Sequence, residues 1–343
     1  MKVVRAAELE EFAVRLLEGA GVESAKARLV AASLVEGNLR GVDSHGVAVL
    51  PHYVDQIEAG DVEPRCAGHV VSENGACLLY DAEHGFGFVT AEICCGHAVR
   101  LAKAHGISIV VAREASHFGV AALWTKRISA AGLIGIAMCD AGPQVAPWQG
   151  RDRRIGTNPI SVSVPHPEGR GWLLDMATTT VALGKLEQAE LKGEREIPAG
   201  WALDADGRPT TDLATAVRGL LTPLGGYKGS GLGVMVEVLC AVLGGGAMAS
   251  EIRGVRMHGR HSRVNHVFLA IDVARFLPLE EFYARMEKLV GELKSSAPAA
   301  GFSEVLVAGD PEWRTEQERR EKGIPLPDAA WEELLATAKR LGV

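Results

Sequence analysis

The chain has 343 residues, of which 47% are hydrophobic and 23% are charged, and its formal net charge at pH 7 is −7. These proportions are typical of globular proteins, so they exclude a disordered, collagen-like or coiled-coil chain, and the length allows roughly two domains. The acidic balance, with no basic run longer than the short one at residues 151–154, excludes the electrostatic footprint of a nucleic-acid-binding protein.

The start of the chain and its longest apolar stretch predict where the protein resides. Met1 to Arg5 is followed by glutamates and lacks the apolar stretch of a signal peptide. Residues 231–249 are interrupted by Glu237 and by three successive glycines, which predicts a buried helix with its exit loop rather than a membrane span. The six cysteines contain no C-x-x-C pair, which predicts buried free thiols rather than zinc ligands or disulfides. We therefore expect a soluble cytoplasmic protein with no membrane partner.

The predicted elements are helical at both ends of the chain and mixed between them. Apolar residues at intervals of three or four predict helices, and short apolar runs predict strands. Helices are expected over residues 7–19, 24–39, 90–105, 121–131, 178–191, 231–243, 279–294, 311–322 and 327–341. Strands are expected over residues 107–111, 133–138, 160–164, 171–174, 266–272 and 304–307, and a long surface segment over 193–212. This order predicts an α/β (α+β) fold in which the helical ends pack together beside a mixed sheet.

Glycine is over-represented, with 40 of 343 residues, against a usual share of about 7%. The segment Gly229 to Val234 misses the G-x-G-x-x-G pattern at its last position, and no P-loop pattern occurs, so an ordinary nucleotide fingerprint is absent from the sequence. Residues 225–231 nevertheless precede an apolar helix, where backbone N–H groups and Lys228 could bind a pyrophosphate. A flexible turn with close helix packing is the alternative, and spacing alone does not choose between them.

Two histidines lie at the ends of predicted elements, where catalytic groups concentrate. His45 follows a helix within Arg40-Gly41-Val42-Asp43-Ser44-His45-Gly46, and His117 follows the strand at 107–111. An imidazole can take and return a proton near neutral pH, because its ordinary pKa is about 6.5. Each histidine taken singly is more often a structural one. The other nine histidines are interpreted as surface or packing residues.

Two aspartates also follow apolar strands. Asp140 comes after the strand at 133–138, where it could orient a histidine or bind a donor, or merely form a turn. Asp175 comes after the strand at 171–174, where it could accept a ribose hydroxyl. Capping of the next helix is the simpler interpretation of Asp175.

Six segments, spread in order along the chain, together resemble a known family. They are residues 41–47 (GVDSHGV), 116–119 (SHFG), 156–159 (GTNP), 174–178 (LDMAT), 197–209 (IPAGWALDADGRP) and 224–233 (LGGYKGSGLG). The chain resembles, from about residue 7 to its end, the malate/lactate dehydrogenase family of the second type. That family also contains ureidoglycolate dehydrogenase, sulfolactate dehydrogenase, 2,3-diketogulonate reductase and piperideine-2-carboxylate reductase.

The resemblance implies a non-Rossmann fold and a redox activity. A mixed-sheet nucleotide-binding domain would cover residues 76–309, and residues 1–75 with 310–343 would form a helical domain. Family members are homodimers with active sites near the interface. They transfer a hydride between NAD(H) or NADP(H) and the 2-position of a hydroxy acid, oxo acid or cyclic imino acid, with no metal. The choice between NAD and NADP stays open.

The resemblance also implies a role for each matching residue. His45 would be the general acid/base, with Ser44 beside it in the substrate pocket, and His117 would lie next to the reacting centre. The cofactor would contact Phe118, Gly119, Asp175, Met176, Ala177, Lys228 and Gly229, with Gly309, Asp310 and Pro311 closing over it. Asn158 would line the substrate pocket. Lys185 matches the lysine of the malate/lactate branch, which favours alcohol over imine chemistry.

Two departures from the family pattern concern the substrate. The usual motif S-H-G-x-x-R has an arginine that binds the substrate carboxylate, but this chain has Val49 there, and Cys139-Asp140 replaces the usual Thr-Asn. Both changes make the pocket more negative, which opposes an anionic ligand. We therefore expect a substrate that is neutral, has an amine near Asp140, or has its carboxylate bound elsewhere. The alternatives are a reductase of an imine, amino or neutral carbonyl compound, and a cofactor-binding protein without hydride chemistry.

Overall fold

The protein is represented by a computed structural model that describes residues 1–191 and 193–343, the side chains of residues 187, 188 and 191 excepted. The helices are α1 (Ala6–Gly19), α2 (Ser24–Leu39), α3 (Leu50–Glu58), α4 (Gly87–His105), α5 (Ala121–Ser129), α6 (Leu183–Leu191), α7 (Leu213–Arg218), α8 (Tyr227–Glu237), α9 (Leu279–Lys294), α10 (Asp310–Lys322) and α11 (Asp328–Leu341). The strands are β1 (Lys2–Val4), β2 (His69–Asn74), β3 (Cys77–Asp81), β4 (Ile107–Ala115), β5 (Leu133–Cys139), β6 (Ile160–Ser163), β7 (Leu173–Met176), β8 (Ala202–Leu203), β9 (Pro209–Thr210), β10 (Leu220–Leu221), β11 (Val264–Asp272) and β12 (Ile324–Leu326).

A seven-stranded mixed sheet with the order β2-β3-β4-β11-β5-β6-β7 organises the molecule. Only β3 and β4 pair in parallel; the other neighbouring strands of this sheet are antiparallel. Successive side chains of β11 point to opposite faces: Phe268 joins the main core with Trp124 of α5, and Val267 packs with Val236 of α8. Helices therefore cover both faces, and the sheet is not the parallel sheet of a Rossmann fold, as predicted.

The two ends of the chain pack together, which confirms the expectation from the sequence. β1 pairs with β12 in antiparallel register, with Lys2 opposite Leu326. Leu16 and Leu17 of α1 and Leu34 of α2 are fully buried in the main core, which Leu334 of α11 also joins. Because this layer combines both ends, residues from the start and the end of the chain can meet at one site.

The structure differs from the sequence-based prediction in several elements. The predicted helix at 178–191 begins only at Leu183, because residues 178–182 bond to other loops. The predicted strand at 304–307 is wrong: these residues form an irregular segment that leads into α10. Residues 193–212 contain β8 and β9, which form a small sheet with β10 in the order β10-β8-β9. A domain boundary at residue 75 would fall inside the β2–β3 hairpin.

Two further expectations concern thiols and membranes. The six cysteines are free, as predicted; four are buried, Cys66 is partly exposed, and Cys77 is exposed. Within the part of the chain that the structure describes, no helix has the length and apolar character needed to cross a membrane.

Candidate active site

A short polar turn, residues 43–46, links α2 to α3 and carries the predicted general acid/base, His45. Asn38, near the end of α2, fixes this turn through two side-chain hydrogen bonds. Its side-chain oxygen accepts a hydrogen bond from the backbone N–H of Val47 at 2.8 Å, and its amide donates to the carboxylate of Asp43 at 2.7 Å. Asn38 is fully buried, so these bonds are shielded from water.

The far end of the chain supports the same turn. Arg319 of α10 donates to both carboxylate oxygens of Asp43, at 2.6 and 2.9 Å, in the fork geometry that makes such pairs specific. A Cβ on Gly46 would overlap the Asn38 side chain, so glycine is required there. The turn is therefore fixed from α2 and from α10.

His45 lies beside His117, the second predicted histidine. The His45 Nδ1 atom is 2.9 Å from the Ser44 hydroxyl, and the two imidazole centroids are 5.3 Å apart with an interplanar angle of 30°. The hydroxyl of Tyr53, from α3, donates to Nδ1 of His117 at 2.6 Å. The N–H of Gly119 also faces this nitrogen, at 3.3 Å, so the proton of a neutral His117 ring resides on Nε2.

Burial sets the protonation of this pair of groups. It lowers the pKa of His117 well below 6.5, and the neighbouring His45 and His266 lower it further. Burial also raises the pKa of Tyr53 far above 10. His117 and Tyr53 therefore stay neutral through the physiological pH range, and His117 serves as a hydrogen-bond donor rather than as a cation.

Three loops form the opposite side of the site through backbone hydrogen bonds. Thr178 N–H donates to Thr157 at 2.9 Å, and Leu224 N–H donates to Thr178 at 3.0 Å. Gly229 N–H, in the first turn of α8, then donates to Leu224 at 2.7 Å. The glycine-rich helix start is thus joined to the segment that follows Asp175 at the end of β7.

Two contacts connect the segments on either side of these loops to the segments that carry the histidines. A Cβ on Gly184, in the first turn of α6, would lie 2.5 Å from the Cβ of Ser44, so α6 begins directly against the turn. The carboxylate of Asp175 accepts a hydrogen bond from the N–H of Ala122 at 3.1 Å, at the start of α5 and five residues after His117. The predicted catalytic and cofactor segments therefore lie side by side.

The pKa of Asp175 is raised above the ordinary aspartate value, although part of its side chain is exposed. Its side chain reaches solvent, but protein surrounds it on the remaining sides, and this burial raises its pKa to about 7. The hydrogen bond from Ala122 and the charge of Arg40 oppose the rise. Asp175 thus changes its charge near neutral pH at the place where a ribose hydroxyl is expected.

The start of α8 fits the phosphates of a dinucleotide. Gly225 and Gly226 have φ values of 59° and 70°, which non-glycine residues rarely adopt, and Lys228 is exposed in the first turn. A helix start presents backbone N–H groups and a partial positive charge to an anion. A Cβ on Gly229 would come within 2.7 Å of the Thr178 carbonyl oxygen and closer still to the Leu224 backbone, so the close approach needs glycine.

A comparison with known proteins assigns the family. The sequence pattern of the malate/L-lactate dehydrogenase family matches residues 4–335. The chain belongs to the malate/L-lactate dehydrogenase family. It is 38% identical to a malate dehydrogenase from Pyrococcus horikoshii, over 98% of this chain and 94% of that protein. It is 33% identical to a (2R)-3-sulfolactate dehydrogenase (NADP(+)) from Chromohalobacter salexigens, over 98% of both chains.

A solved structure extends the agreement to the whole fold. The sulfolactate dehydrogenase of Methanocaldococcus jannaschii superposes with a TM-score of 0.93 at 31% identity, covering 100% of this chain and 98% of that one. The predicted membership in the malate/L-lactate dehydrogenase family is confirmed, and so is the non-Rossmann mixed-sheet architecture.

Other residues that the family resemblance marks lie near this site. The turn before α10 packs on β7. The Leu173 N–H donates a hydrogen bond to the carbonyl of Ala308 at 3.2 Å, and a Cβ on Gly309 would lie 3.3 Å from the Leu173 nitrogen. Asp310 accepts from Lys294 at 3.0 Å and from the N–H of Val307 at 3.0 Å, so its carboxylate holds its own loop. Pro311 is exposed in the first turn of α10, and Met176 and Ala177 are half-buried after β7. Lys185 is exposed and follows Gly184, the residue packed on Ser44.

Asp140 does not face the site as the sequence predicted. It is fully buried, and its two oxygens accept from the backbone N–H and the side-chain amide of Asn265, at 2.7 and 2.6 Å. Burial raises its pKa well above the ordinary value, against the hydrogen bonds from Asn265. Because Asp140 is enclosed by its own partners, the change that remains in the substrate pocket is the loss of one arginine.

Two other predicted substrate contacts are also buried. Asn158 is fully buried; it donates to the carbonyl of Gly233 and to Glu237 and accepts from Ala141, so it fastens loops to α8. Val49 is 4% exposed and packs in the main core. Neither side chain is open to a substrate in this arrangement.

Phe118 contributes to the core instead of presenting its ring to the cofactor. The ring is buried and stacks on His266 with centroids 4.5 Å apart. Burial lowers the pKa of His266 to about 3, so this histidine is a neutral packing residue, as predicted. Gly119, at φ 75°, lies against Phe88. Contacts from this segment to a cofactor would come from its backbone.

Three supporting residues were missed by reasoning from the sequence: Asn38, Tyr53 and Arg319. A tyrosine within an apolar helix and an arginine within a charged helix have no distinctive local pattern. The signal that could have found Asn38 is its position, a small amide in a helix five residues before Asp43, where it can reach the following turn. Arg319 lies 276 residues from Asp43, so no local pattern could pair them.

Replacing Tyr53 by Phe tests the link to His117. We expect kcat to fall about tenfold with little change in KM, because the variant removes one hydrogen bond that orients the ring. Steady-state kinetics and thermal melting would measure this, with Tyr283→Phe, on the surface helix α9, as the matched control. An unchanged kcat would contradict the positioning role.

Proposed function

We propose that this protein is an NAD(P)-dependent oxidoreductase that transfers a hydride at the 2-position of a hydroxy or oxo acid, with His45 as the general acid/base. The observation that carries the proposal is the contact between Ser44, His45 and His117, with Ser44 packed against Gly184 at the start of α6. Membership in the malate/L-lactate dehydrogenase family supports the same reaction class.

The proton steps follow from the geometry of the histidine turn. In oxidation His45 takes the proton of the substrate hydroxyl group, and in reduction it returns this proton to the carbonyl oxygen. Ser44, 2.9 Å from Nδ1, orients the His45 ring. His117, neutral and held through Nδ1, offers its Nε2–H to the substrate oxygen, where negative charge develops. A bound nicotinamide would supply the hydride acceptor in oxidation and the hydride donor in reduction.

Lys228, Gly229 and Asp175 would hold the cofactor. Lys228 and the positive end of the helix dipole at the start of α8 would attract the pyrophosphate. Gly229, whose own N–H is bonded to Leu224, would allow the close packing of this turn. Asp175 accepts a ribose hydroxyl when its carboxyl is ionised. Gly309 would approach the cofactor from the turn before α10, which packs on Leu173 of β7.

The substrate's carboxylate is bound by a group other than residue 49. With Val49 in the core and Asp140 buried, the cation that we assign to the carboxylate is Lys185, which is exposed and directly follows the Gly184 packed on Ser44. This arrangement accommodates a 2-oxo acid whose carboxylate meets Lys185. Because residue 49 is valine and not arginine, a neutral carbonyl compound or an imine is a second candidate substrate.

A substrate panel with each cofactor tests the proposal. NADH and NADPH would be added separately with pyruvate, oxaloacetate, a neutral ketone and a cyclic imine, and the loss of cofactor absorbance would be followed. We expect turnover of at least one 2-oxo acid, and Lys185→Ala should raise its KM. Turnover of the neutral ketone or the imine alone would favour the second candidate. Cofactor fluorescence enhancement without any turnover would indicate a binding protein.

The chain also exposes an apolar face that fits a second copy of itself. Val234, Val238 and Val242 lie four residues apart along α8 and its π-helical extension and are 45%, 47% and 57% exposed. The adjacent Leu243 is 57% exposed. Such a continuous apolar stripe on a monomer marks an interaction surface. A homodimer through α8 would cover it.

Replacing Val242 by Glu tests this homodimer. We expect the mass measured by light scattering to fall from that of two chains to that of one, because a charge would be buried at the interface. Leu335→Glu, at a site 46% exposed on α11, is the control and should leave the mass unchanged. A dimer that survives Val242→Glu would place the interface elsewhere.

A further inference from the structure

A cluster of metal-binding groups lies on the face of α3 that is not used by the active site. His52 and Asp55 are three residues apart on α3, so they share one face of the helix. His258, from the loop between residues 252 and 263, lies against them. One nitrogen of each imidazole and one carboxylate oxygen all lie within 4.8 Å of one another.

The surrounding contacts leave these groups available. Arg340 of α11 donates to Oδ1 of Asp55 at 2.6 Å, which fixes the carboxylate, while Oδ2 lies 4.0 Å from Nε2 of His258. The two imidazole rings are 6.3 Å apart with an interplanar angle of 29°. Nδ1 of His52 is buried and has no hydrogen-bond partner among the described residues. A buried polar atom of this kind usually has a partner, so its isolation needs an explanation.

The protonation state of His52 suits a ligand. Burial, and then the charge of Arg256, lower its pKa below 6.5, against the charges of Glu333 and Asp55. The ring is therefore neutral at pH 7, and a metal ion would not have to displace a proton from it. Arg340 and Arg256 add positive charge nearby; Glu333 and Glu58 offset it.

We propose that His52, Asp55 and His258 bind a divalent transition-metal ion, for which Zn²⁺ is the best match. Two imidazoles and one carboxylate are a common set of three protein ligands for zinc, with water in the fourth position. Bonds of about 2.0–2.1 Å at tetrahedral angles place the ligand atoms about 3.4 Å apart. Binding therefore requires a small contraction, which the partly exposed His258 side chain can supply.

The bound metal would join two parts of the structure that approach the active site. It would tie the 252–263 loop, which leads into β11, to α3. Tyr53 of α3 in turn holds His117. The site itself takes no part in the hydride reaction, so its presence or absence is independent of the proposed function.

Metal titration of the full chain tests the proposal. The protein would be prepared without a histidine tag, treated with a chelator, dialysed and titrated with Zn²⁺ by calorimetry. We expect one ion per chain and a rise in melting temperature with Zn²⁺. His52→Asn and His258→Asn should each weaken binding at least tenfold, whereas His166→Asn, a surface histidine on another part of the chain, should not.

A second readout does not depend on the variants folding. Co²⁺ in place of Zn²⁺ should produce the intense visible absorption of a four-coordinate site in the wild-type chain. The absence of saturable one-to-one binding, or the weak spectrum of hydrated Co²⁺, would overturn the proposal. So would Zn²⁺ binding that is unchanged in a folded His258→Asn variant, with folding checked by circular dichroism.

Discussion

Replacing His45 by Asn is expected to lower kcat by about 10²–10⁴-fold while leaving cofactor affinity nearly unchanged. The imidazole is the group placed to exchange a proton with the substrate oxygen, and an amide of similar shape cannot perform this exchange at neutral pH. The cofactor would be held by α8 and the 175–178 loop, so its binding does not need His45. Steady-state kinetics would give kcat, and titration of NADH or NADPH fluorescence would give the affinity.

A histidine outside the site provides the control for this prediction. His105, exposed at the end of α4, is replaced by Asn and should leave both quantities unchanged. A smaller fall is expected for Ser44→Ala, because Ser44 only orients the ring. If His45→Asn retained near-full kcat, the proton would have to pass through another group, and the assignment of His45 would be wrong.

For His45 and His117, the sequence predicts the candidates but not their spatial arrangement. Their positions at the ends of elements, and the motifs around them, marked both as candidates. Their closeness, with centroids 5.3 Å apart, depends on the 43–46 turn meeting the segment that follows β4 in the fold. Tyr53, which orients His117, lies 64 residues away from it in sequence. Patterns along the chain report local structure well, but they do not report which distant side chains meet.

Asp140 and Asn158 are two predicted site residues whose side chains the fold encloses. Both occur at the ends of strands or in motifs that usually line a site, yet both are fully buried. Asn265 binds both oxygens of Asp140, and that partner lies on β11, 125 residues away. The strand wrongly predicted at 304–307 has a similar cause, since apolar residues predict a strand only if a neighbouring strand is there to pair with them.

The second prediction concerns one of the many glycines, Gly229, and its expected effect on stability and on cofactor affinity. Gly229→Ala is expected to destabilise the protein by about 3 kcal/mol and to weaken NADH or NADPH binding at least tenfold. The added Cβ would lie 2.7 Å from the Thr178 carbonyl oxygen and closer still to the backbone of Leu224. Backbone atoms cannot rotate away as a side chain can, so the start of α8 would have to move off both loops.

The same helix contains the matched control. A Cβ on Gly231 would meet nothing within 4 Å, and the residue is exposed within α8. Gly231→Ala should therefore stabilise the protein slightly, by about 0.5–1 kcal/mol, through the higher helix preference of alanine. Urea unfolding and cofactor titration of both variants separate the two effects. Equal behaviour of the two variants would show that close approach at residue 229 is not what the glycine provides, and the cofactor assignment of this helix start would lose its main structural support.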